Sequence, residues 1–274
     1  MTDAWPAVPG SPSGPRPAVR TDLDLRGMWT MVQRNRDVYL KTWKTNMLPP
    51  LLEPLLFVVA LGYGLGFFVR EVEGVSYAQF IAPAILCITM MQTAFFETTY
   101  GSFVRMWFQK TWDAVTATPL SLDDVVVGEL VWAGLKSTIN TGLMAIVISL
   151  LGLLPPLLIL PMLPLAFVTG LAFAGLGMMF SAKVPHIDAF QFGIFLLITP
   201  MMLFAGTYFP LGQMPPALQW VARALPLTHA VAIARPVALG RLDAVPLASV
   251  AYLLVAAVVL PAIAVLWMRR KLVV

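Results

Sequence analysis

Four ionisable side chains stand inside otherwise apolar stretches of this sequence: Glu53, Glu97, Glu129 and Lys136. A charge at the centre of a bilayer costs roughly 2.5–3.5 kcal/mol on insertion scales, so such groups carry ions, hold substrate or pair with one another. The three carboxylates fall near one end of their apolar stretches, where they reach interfacial water or pair with neighbouring basic groups. Lys136 lies deeper. With Asn140 one helical turn on, it forms a polar stripe. Three roles stay open for Lys136: pairing with a carboxylate, lining a subunit interface, or touching a substrate.

Other chemistry is missing. No G-x-x-x-x-G-K-[ST] occurs, so the chain does not hold ATP through a P-loop. The two histidines, His186 and His229, fall on opposite expected sides of the membrane, and no H-E-x-x-H exists, so no metal site is expected. No G-x-S-x-G and no Ser/His/Asp set is present, which disfavours a hydrolase. No apolar stretch carries the arginine ladder of a voltage sensor. Gly62, Gly64 and Gly66 fail the dinucleotide spacing at Phe67 and read as close helix packing or a loosened helix end. The single cysteine, Cys87, allows no disulfide within the chain and reads as a small packing residue. The chain is not expected to be an enzyme.

These residues must be positioned by membrane helices. Six apolar stretches run through the chain, at 47–68, 79–100, 125–152, 157–182, 189–209 and 246–268. Each meets or exceeds the ~20 residues that a helix needs to cross a bilayer. Apolar residues make up 59% of the 274 and charged residues 12%, which leaves no room for a second, water-soluble domain. The expected organisation is a disordered Pro-rich tail at 1–20 and one all-α membrane domain at 21–274. The tail alternates Pro, Gly and Ser, and it lacks the apolar core of a secretory signal.

The formal charge is +4, and its placement matters more than its size. With a cytoplasmic N-terminus, the inner side holds Arg16, Arg20, Arg26, Arg34, Arg36, Lys41, Lys44, Arg105, Lys110, Lys183, Arg269, Arg270 and Lys271. The outer side holds Arg70, Arg223, Arg235 and Arg241. The positive-inside rule then puts both termini in the cytoplasm. Membrane lipid is the expected partner of these charges, and no nucleic acid is.

The connecting segments carry their own patterns. Residues 21–45 read as an amphipathic helix lying on the membrane surface. Leu25, Met28, Trp29, Val32, Tyr39 and Trp43 form its apolar side and Arg26, Arg34, Arg36, Lys41 and Lys44 its polar side, with Thr21 or Asp22 as cap. The loop at 101–124 is the longest expected inner loop. Within it, 111–118 reads as a short amphipathic rod with Trp112 and Val115 on its apolar side. Pro119 stops the rod, and Ser121 with Asp124 opens the next helix as a capping box. Residues 153–157 and 183–188 are tight turns. Residues 210–245 are Pro-studded and hold two pieces too short to span, which read as a hairpin dipping into the outer leaflet. No repeat relates the first three spans to the last three.

This arrangement resembles the ABC-2 (type-2) permeases of ABC exporters. Residues 115–128, VTATPLSLDDVVVG, are similar to that family's "ATPLS" loop and helix start. Residues 203–240 are similar to its C-terminal signature, with "G-x-x-F-P", "P-x-x-L" and "LPLTHAV" as they stand here. The similarity extends from about residue 20 to the C-terminus. Within the family it leans toward permeases for nodulation factors (lipo-chitooligosaccharides) and toward daunorubicin-resistance-type permeases.

The resemblance implies an export subunit in the bacterial inner membrane. Two copies would pair, as a homodimer, and dock two copies of a separate cytoplasmic ATPase that holds ATP and Mg; this chain would bind no cofactor. The rod would couple to the ATPase through Thr111, Trp112, Val115, Thr118 and Pro119, with a lesser contact at Lys183 and His186. The helix bearing Arg26, Trp29, Arg34, Arg36, Lys41 and Trp43 would frame the ATPase and the lateral entry. Phe209, Pro210, Trp220, Arg223 and His229 would belong to the outer gate, and Phe95, Phe96, Lys136 and Asn140 to the path. The implied cargo is an amphiphile: a lipo-oligosaccharide, glycolipid or polysaccharide, or alternatively an apolar drug. An ion-coupled carrier or channel is the competing class, and a membrane enzyme or scaffold is a third.

Overall fold

The computed structural model describes residues 22–69 and 71–272. The 1–20 tail, Thr21 and Arg70 therefore lie outside the described residues. The first helix, α1 (Leu25–Lys41), opens at Asp24 in extended backbone, whose carboxylate accepts from the Arg26 N–H at 3.1 Å. The cap is thus Asp24 and not Asp22.

The apolar side of α1 also differs from the expectation. Gly27, Met31, Val32, Asn35 and Tyr39 are buried, whereas Leu25, Trp29 and Trp43 are exposed. The reason is a partner helix. The buried stripe follows i, i+4 spacing and packs on α5 (Leu122–Leu150). Two glycines permit the approach. A Cβ at Gly27 would lie 2.6 Å from an Asp124 carboxylate oxygen, and one at Gly128 would lie 2.5 Å from the Met31 Cβ.

Among the described residues, six helical stretches are long and apolar enough to cross a membrane: Asn46–Phe67, Tyr77–Phe108, Leu122–Leu150, Pro156–Lys183, Ile187–Phe204 and Leu247–Leu272. The chain is all-α in class. The first span joins α2 (Trp43–Phe57) to a π-helical stretch, Val58–Gly64, and a 3-10 turn, Leu65–Phe67. A minimal hairpin follows, β1 (Glu71–Val72) and β2 (Val75–Ser76), pairing Glu71 with Ser76. Its two-residue turn places Glu73 and Gly74 at φ 54° and 79°, the left-handed backbone region that such tight hairpin turns need.

The second span begins as α3 (Tyr77–Phe96), opened by a capping box between Ser76 and Gln79. It runs further than the apolar run alone suggests. Two π-helical stretches, Glu97–Gly101 and Val104–Phe108, carry the helix into what reads in the sequence as a loop. Lys110, in left-handed backbone at φ 52°, ends it. Then come the short α4 (Thr111–Thr116) and α5, opened by the expected Ser121–Asp124 capping box. The fourth span is α6 (Ile159–Lys183). The fifth is broken into α7 (Phe190–Gly193), a π turn and α8 (Thr199–Phe204), and stops five residues before Phe209. Two short helices, α9 (Pro216–Arg223) and α10 (Pro226–Ala238), precede α11 (Leu247–Leu272).

The core centres on α3. Its most apolar window is 83% buried, against 18% for the first span and 22% for the fifth. It is packed between α5, α6 and α10, with α11 against α6. Phe80, Phe95, Phe173 and Phe190 are fully buried at these contacts. The first and fifth spans keep wide apolar faces turned outward, including Phe192, Phe195 and Leu196.

Candidate coupling face and buried charge network

The second span and α5 run antiparallel, and four charges meet between them. The Arg105 guanidinium donates to the Glu97 carboxylate at 2.8 Å and through Nε to Glu129 at 3.0 Å, with a second, shorter contact from Nη2 to Glu129. Lys136 Nζ lies 2.6 Å from the other Glu97 oxygen. Ser102 donates to Glu129 at 3.0 Å. Glu129 is fully buried, and Glu97 is 7% exposed. Two carboxylates and two cations make the cluster formally neutral, the arrangement that lets buried charges persist.

Polar groups from α1 and α2 close this cluster. Lys136 also reaches the Asn46 side-chain carbonyl at 3.4 Å and lies 5.5 Å from the centroid of the Tyr39 ring. The Tyr39 hydroxyl donates to Asn140 at 3.0 Å, and Asn140 in turn donates to Thr93 at 3.4 Å. Burial, reinforced by the Glu97 carboxylate, pushes the Tyr39 hydroxyl up to about 12. Burial also pulls the half-buried Arg34 guanidinium down, against the opposing pull of Glu129. Of the three roles open for Lys136, the structure forms the pairing with a carboxylate.

The path residues therefore divide. Phe95 is fully buried and packs edge-on against Phe96 and Phe180, at 6.1 and 5.9 Å between centroids. It is a core residue and lines no open path in this conformation. Asn140 is equally buried. Glu53 is the carboxylate left exposed. It lines a shallow groove with Phe57, Gln92, Met202 and Tyr208 between the first, second and fifth spans.

The rod sits at the end of the bundle where the second span, α5, α6 and α11 all finish or begin. Trp112 is 3% exposed and Val115 half-buried, both packed on the protein's own core. The reading of α4 as amphipathic agrees with this, but the indole is not available as a docking face. Outward stand Lys110, Asp113, Ala114, Ala117, Thr118 and Pro119. The helix is also shorter than expected. It stops at Thr116, and Thr118 turns back to bond the Val115 carbonyl at 2.6 Å.

The C-terminal end of α11 ties the second turn to the end of the second span and the start of α5. Lys271 donates to the carbonyls of Ser181 and Val184 at 2.8 and 3.0 Å, closing the open end of α6, and lies 5.5 Å from the Trp107 ring. Lys183 stands 3.9 Å over the Trp267 ring, and Arg269 pairs with Asp123. His186 is exposed within the turn. In the sequence Arg269 and Lys271 read only as inner-side charge, and Lys183 as such a charge and a lesser coupling contact, because their partners lie far off in sequence.

At the opposite end, α9 and α10 are tied to α11. His229 bonds Ser249 at 3.0 Å and the Arg223 carbonyl at 2.9 Å, and stacks on Tyr252 at 4.0 Å. Trp220, 71% exposed, lies beside Arg223, while Phe209 and Pro210 are half-exposed. The apolar side of α10 is buried against α3, α6 and α11. Arg235, grouped in the sequence only as an outer-side charge, bonds the Gly206 carbonyl at 2.8 Å and covers the Phe80 ring.

The comparisons with known proteins agree with this architecture. The family profile of the ABC-2 type transporter matches residues 26–239. Nodulation protein J of Rhizobium leguminosarum bv. viciae is 40% identical over 219 residues, 80% of this chain and 83% of that protein. Nodulation protein J of Rhizobium meliloti (strain 1021) is 38% identical over 213 residues, 77% and 81% of the two chains. The inner membrane transport permease YadH of Escherichia coli (strain K12) is more distant, at 22% over 70% of this chain and 75% of that one. With six helices among the described residues long and apolar enough to cross a membrane and a family match over most of its length, this chain is a multi-pass membrane protein of the ABC-2 type transporter family.

Proposed function

We propose that this chain is the permease subunit of an ATP-driven exporter that moves an amphiphile, a lipo-oligosaccharide or related glycolipid or polysaccharide, across the bacterial inner membrane. The observation that carries this reading is the similarity to Nodulation protein J over about four-fifths of both chains. Residues 21–274 form the membrane domain, with both termini cytoplasmic and the 1–20 tail outside it. Two copies pair and dock two copies of a cytoplasmic ABC ATPase, which holds ATP and Mg.

The end of the bundle bearing α4 is then the docking face. The outward residues of the rod, Asp113, Ala114 and Ala117, meet the ATPase, while Trp112 and Val115 anchor the rod to the permease. The turn at 183–188, braced by Lys271, is the second contact. Exposed Trp29 on α1 and Trp43 at the start of α2 suit the headgroup layer. The α9–α10 hairpin, with Trp220 and Arg223 at its tip, forms the outer gate. An ion-coupled carrier would need a free carboxylate deep in a span, and Glu97 and Glu129 are each held by cations.

Co-purification with the P-loop ATPase encoded nearest this gene tests the reading. A stable complex that hydrolyses ATP faster when an acylated chitooligosaccharide is present supports it. Stimulation by apolar drugs alone would replace the cargo, and no bound ATPase would remove the exporter reading.

A further inference from the structure

The register of the charge cluster shows how it is built. On α5, Glu129 and Lys136 are seven residues apart and so lie within about 20° of one another on an α-helix. On the second span, Glu97 and Arg105 are eight apart, which on a regular α-helix would splay them by about 80°. Their side chains nevertheless meet at 2.8 Å and face α5 together. The π-helical stretch Glu97–Gly101 accounts for this: Ser102 N–H bonds the Glu97 carbonyl five residues back, so one extra residue is taken up between Glu97 and Arg105. A second stretch, Val104–Phe108, starts beside Arg105 and makes the same kind of bond, Gln109 N–H to the Val104 carbonyl, on the way to the rod. The result is an antiparallel two-rung ladder, with Glu97 opposite Lys136 and Arg105 opposite Glu129.

Position adds meaning to the register. Arg105 lies in the last π turn before the rod, and Trp112, seven residues further on, fixes the rod to the core. Within the ladder Arg105 is the one group that touches both carboxylates. Glu97 keeps a second cation in Lys136, whereas among the described residues Glu129 has only Arg105 and the Ser102 hydroxyl as side-chain partners. A regular helix would have been the default for this apolar stretch. Departure from it at the point where four charges meet marks a place that moves or transmits movement.

We propose that the Glu97–Arg105–Glu129–Lys136 ladder is the transmission between the rod and the spans, with Arg105 as its positioning residue. Displacement of the rod reaches α5 through Arg105, and the π turns supply the slack in register. The inference rests on the exporter reading above and adds residues that the reading does not require.

The test uses the purified permease–ATPase complex in vesicles, with a fluorescent acylated chitooligosaccharide as probe, and reads cargo moved per ATP hydrolysed. Arg105→Met alone leaves Glu129 buried without its hydrogen-bonded cation and risks misfolding. The double variant Arg105→Met/Glu129→Gln removes the lower rung while leaving no unpaired charge, and keeps the Glu97–Lys136 rung. Expected is a complex that assembles and hydrolyses ATP near the wild-type rate while cargo per ATP falls about tenfold, with Arg105→Lys in between because a lysine lacks the fork that reaches both carboxylates. Unchanged cargo per ATP in the double variant, or transport and hydrolysis falling in the same ratio, overturns the proposal. The wild-type complex separates the two levels: if it hydrolyses ATP without moving cargo, the exporter reading itself falls, and this inference with it.

Discussion

Gly128 on α5 and Met31 on α1 touch so closely that a Cβ added at position 128 would stand 2.5 Å from the Met31 Cβ and 3.0 Å from the Met28 carbonyl. This contact holds the amphipathic helix to the membrane domain. Asp24 N–H reinforces it, bonding the Asp124 carboxylate at 2.7 Å, and so does Tyr39 against Trp132 at 5.6 Å. Gly128→Ala is expected to destabilise the protein by about 1–3 kcal/mol, because the backbone of α1 must shift to admit the methyl. Thermal unfolding in detergent reads this, and release of α1 appears as protease cleavage within Leu25–Lys41.

The rod supplies a sharper contrast. Trp112→Ala empties a buried site and is expected to cost about 3–5 kcal/mol of stability. Ala114→Arg alters an exposed position and is expected to leave thermal unfolding within about 0.5 kcal/mol while weakening ATPase capture. Pull-down against ATPase concentration, paired with melting curves, separates the two. If Trp112→Ala alone blocks docking at unchanged stability, the inward anchor assigned here is wrong.

Much of this architecture was legible in the sequence, for reasons that show where legibility stops. The six spans follow from apolar length alone, and the Ser121–Asp124 box from its four-residue pattern. The continuation of the second span to Phe108 was not legible, because Gly101, Ser102 and Arg105 interrupt the apolar run. Arg105 went unnoticed as a partner of Glu97 because eight residues on an α-helix place side chains on different faces, and only π geometry reunites them. The buried side of α1 includes neither Leu25 nor Trp29, and Trp43 stands exposed at the start of α2. Periodicity finds a stripe, but glycine at 27 and 128 decides which stripe meets a helix. Trp112 was assigned to the right side of the rod, yet a sequence does not say whether that side faces its own protein or a partner.

Burial of Tyr39 beside the Glu97 carboxylate predicts a pH dependence. The Tyr39 hydroxyl is pushed from 10.0 up to about 12, so the folded state keeps a proton that the unfolded state gives up first. The resulting stabilisation is complete below pH 10 and is lost as pH rises toward 12. Tyr39→Phe is expected to remove this component and, by stranding Asn140, to cost about 1–3 kcal/mol at neutral pH. An ultraviolet difference titration of wild type against Tyr39→Phe measures it. A tyrosine signal titrating at the ordinary value would contradict the buried contact.

Lys271 closes the end of α6 through two carbonyls, and Lys271→Ala reopens it. The expected consequence is a loosened turn at 183–188, read as faster proteolysis beside Val184, with about 1–2 kcal/mol lost in global stability. Lys271→Arg should restore most of the protection. Cleavage at the wild-type rate in Lys271→Ala would show that the turn is held by other contacts.

The central claim is that this chain moves an amphiphile by coupling to an ATPase at the α4 end of the bundle. Its most direct test is uptake of a fluorescent acylated chitooligosaccharide into inside-out vesicles holding the permease and its neighbouring ATPase. The account predicts uptake that requires ATP, persists when ion gradients are collapsed, and disappears with Ala114→Arg. Uptake driven by an ion gradient without ATP would contradict it.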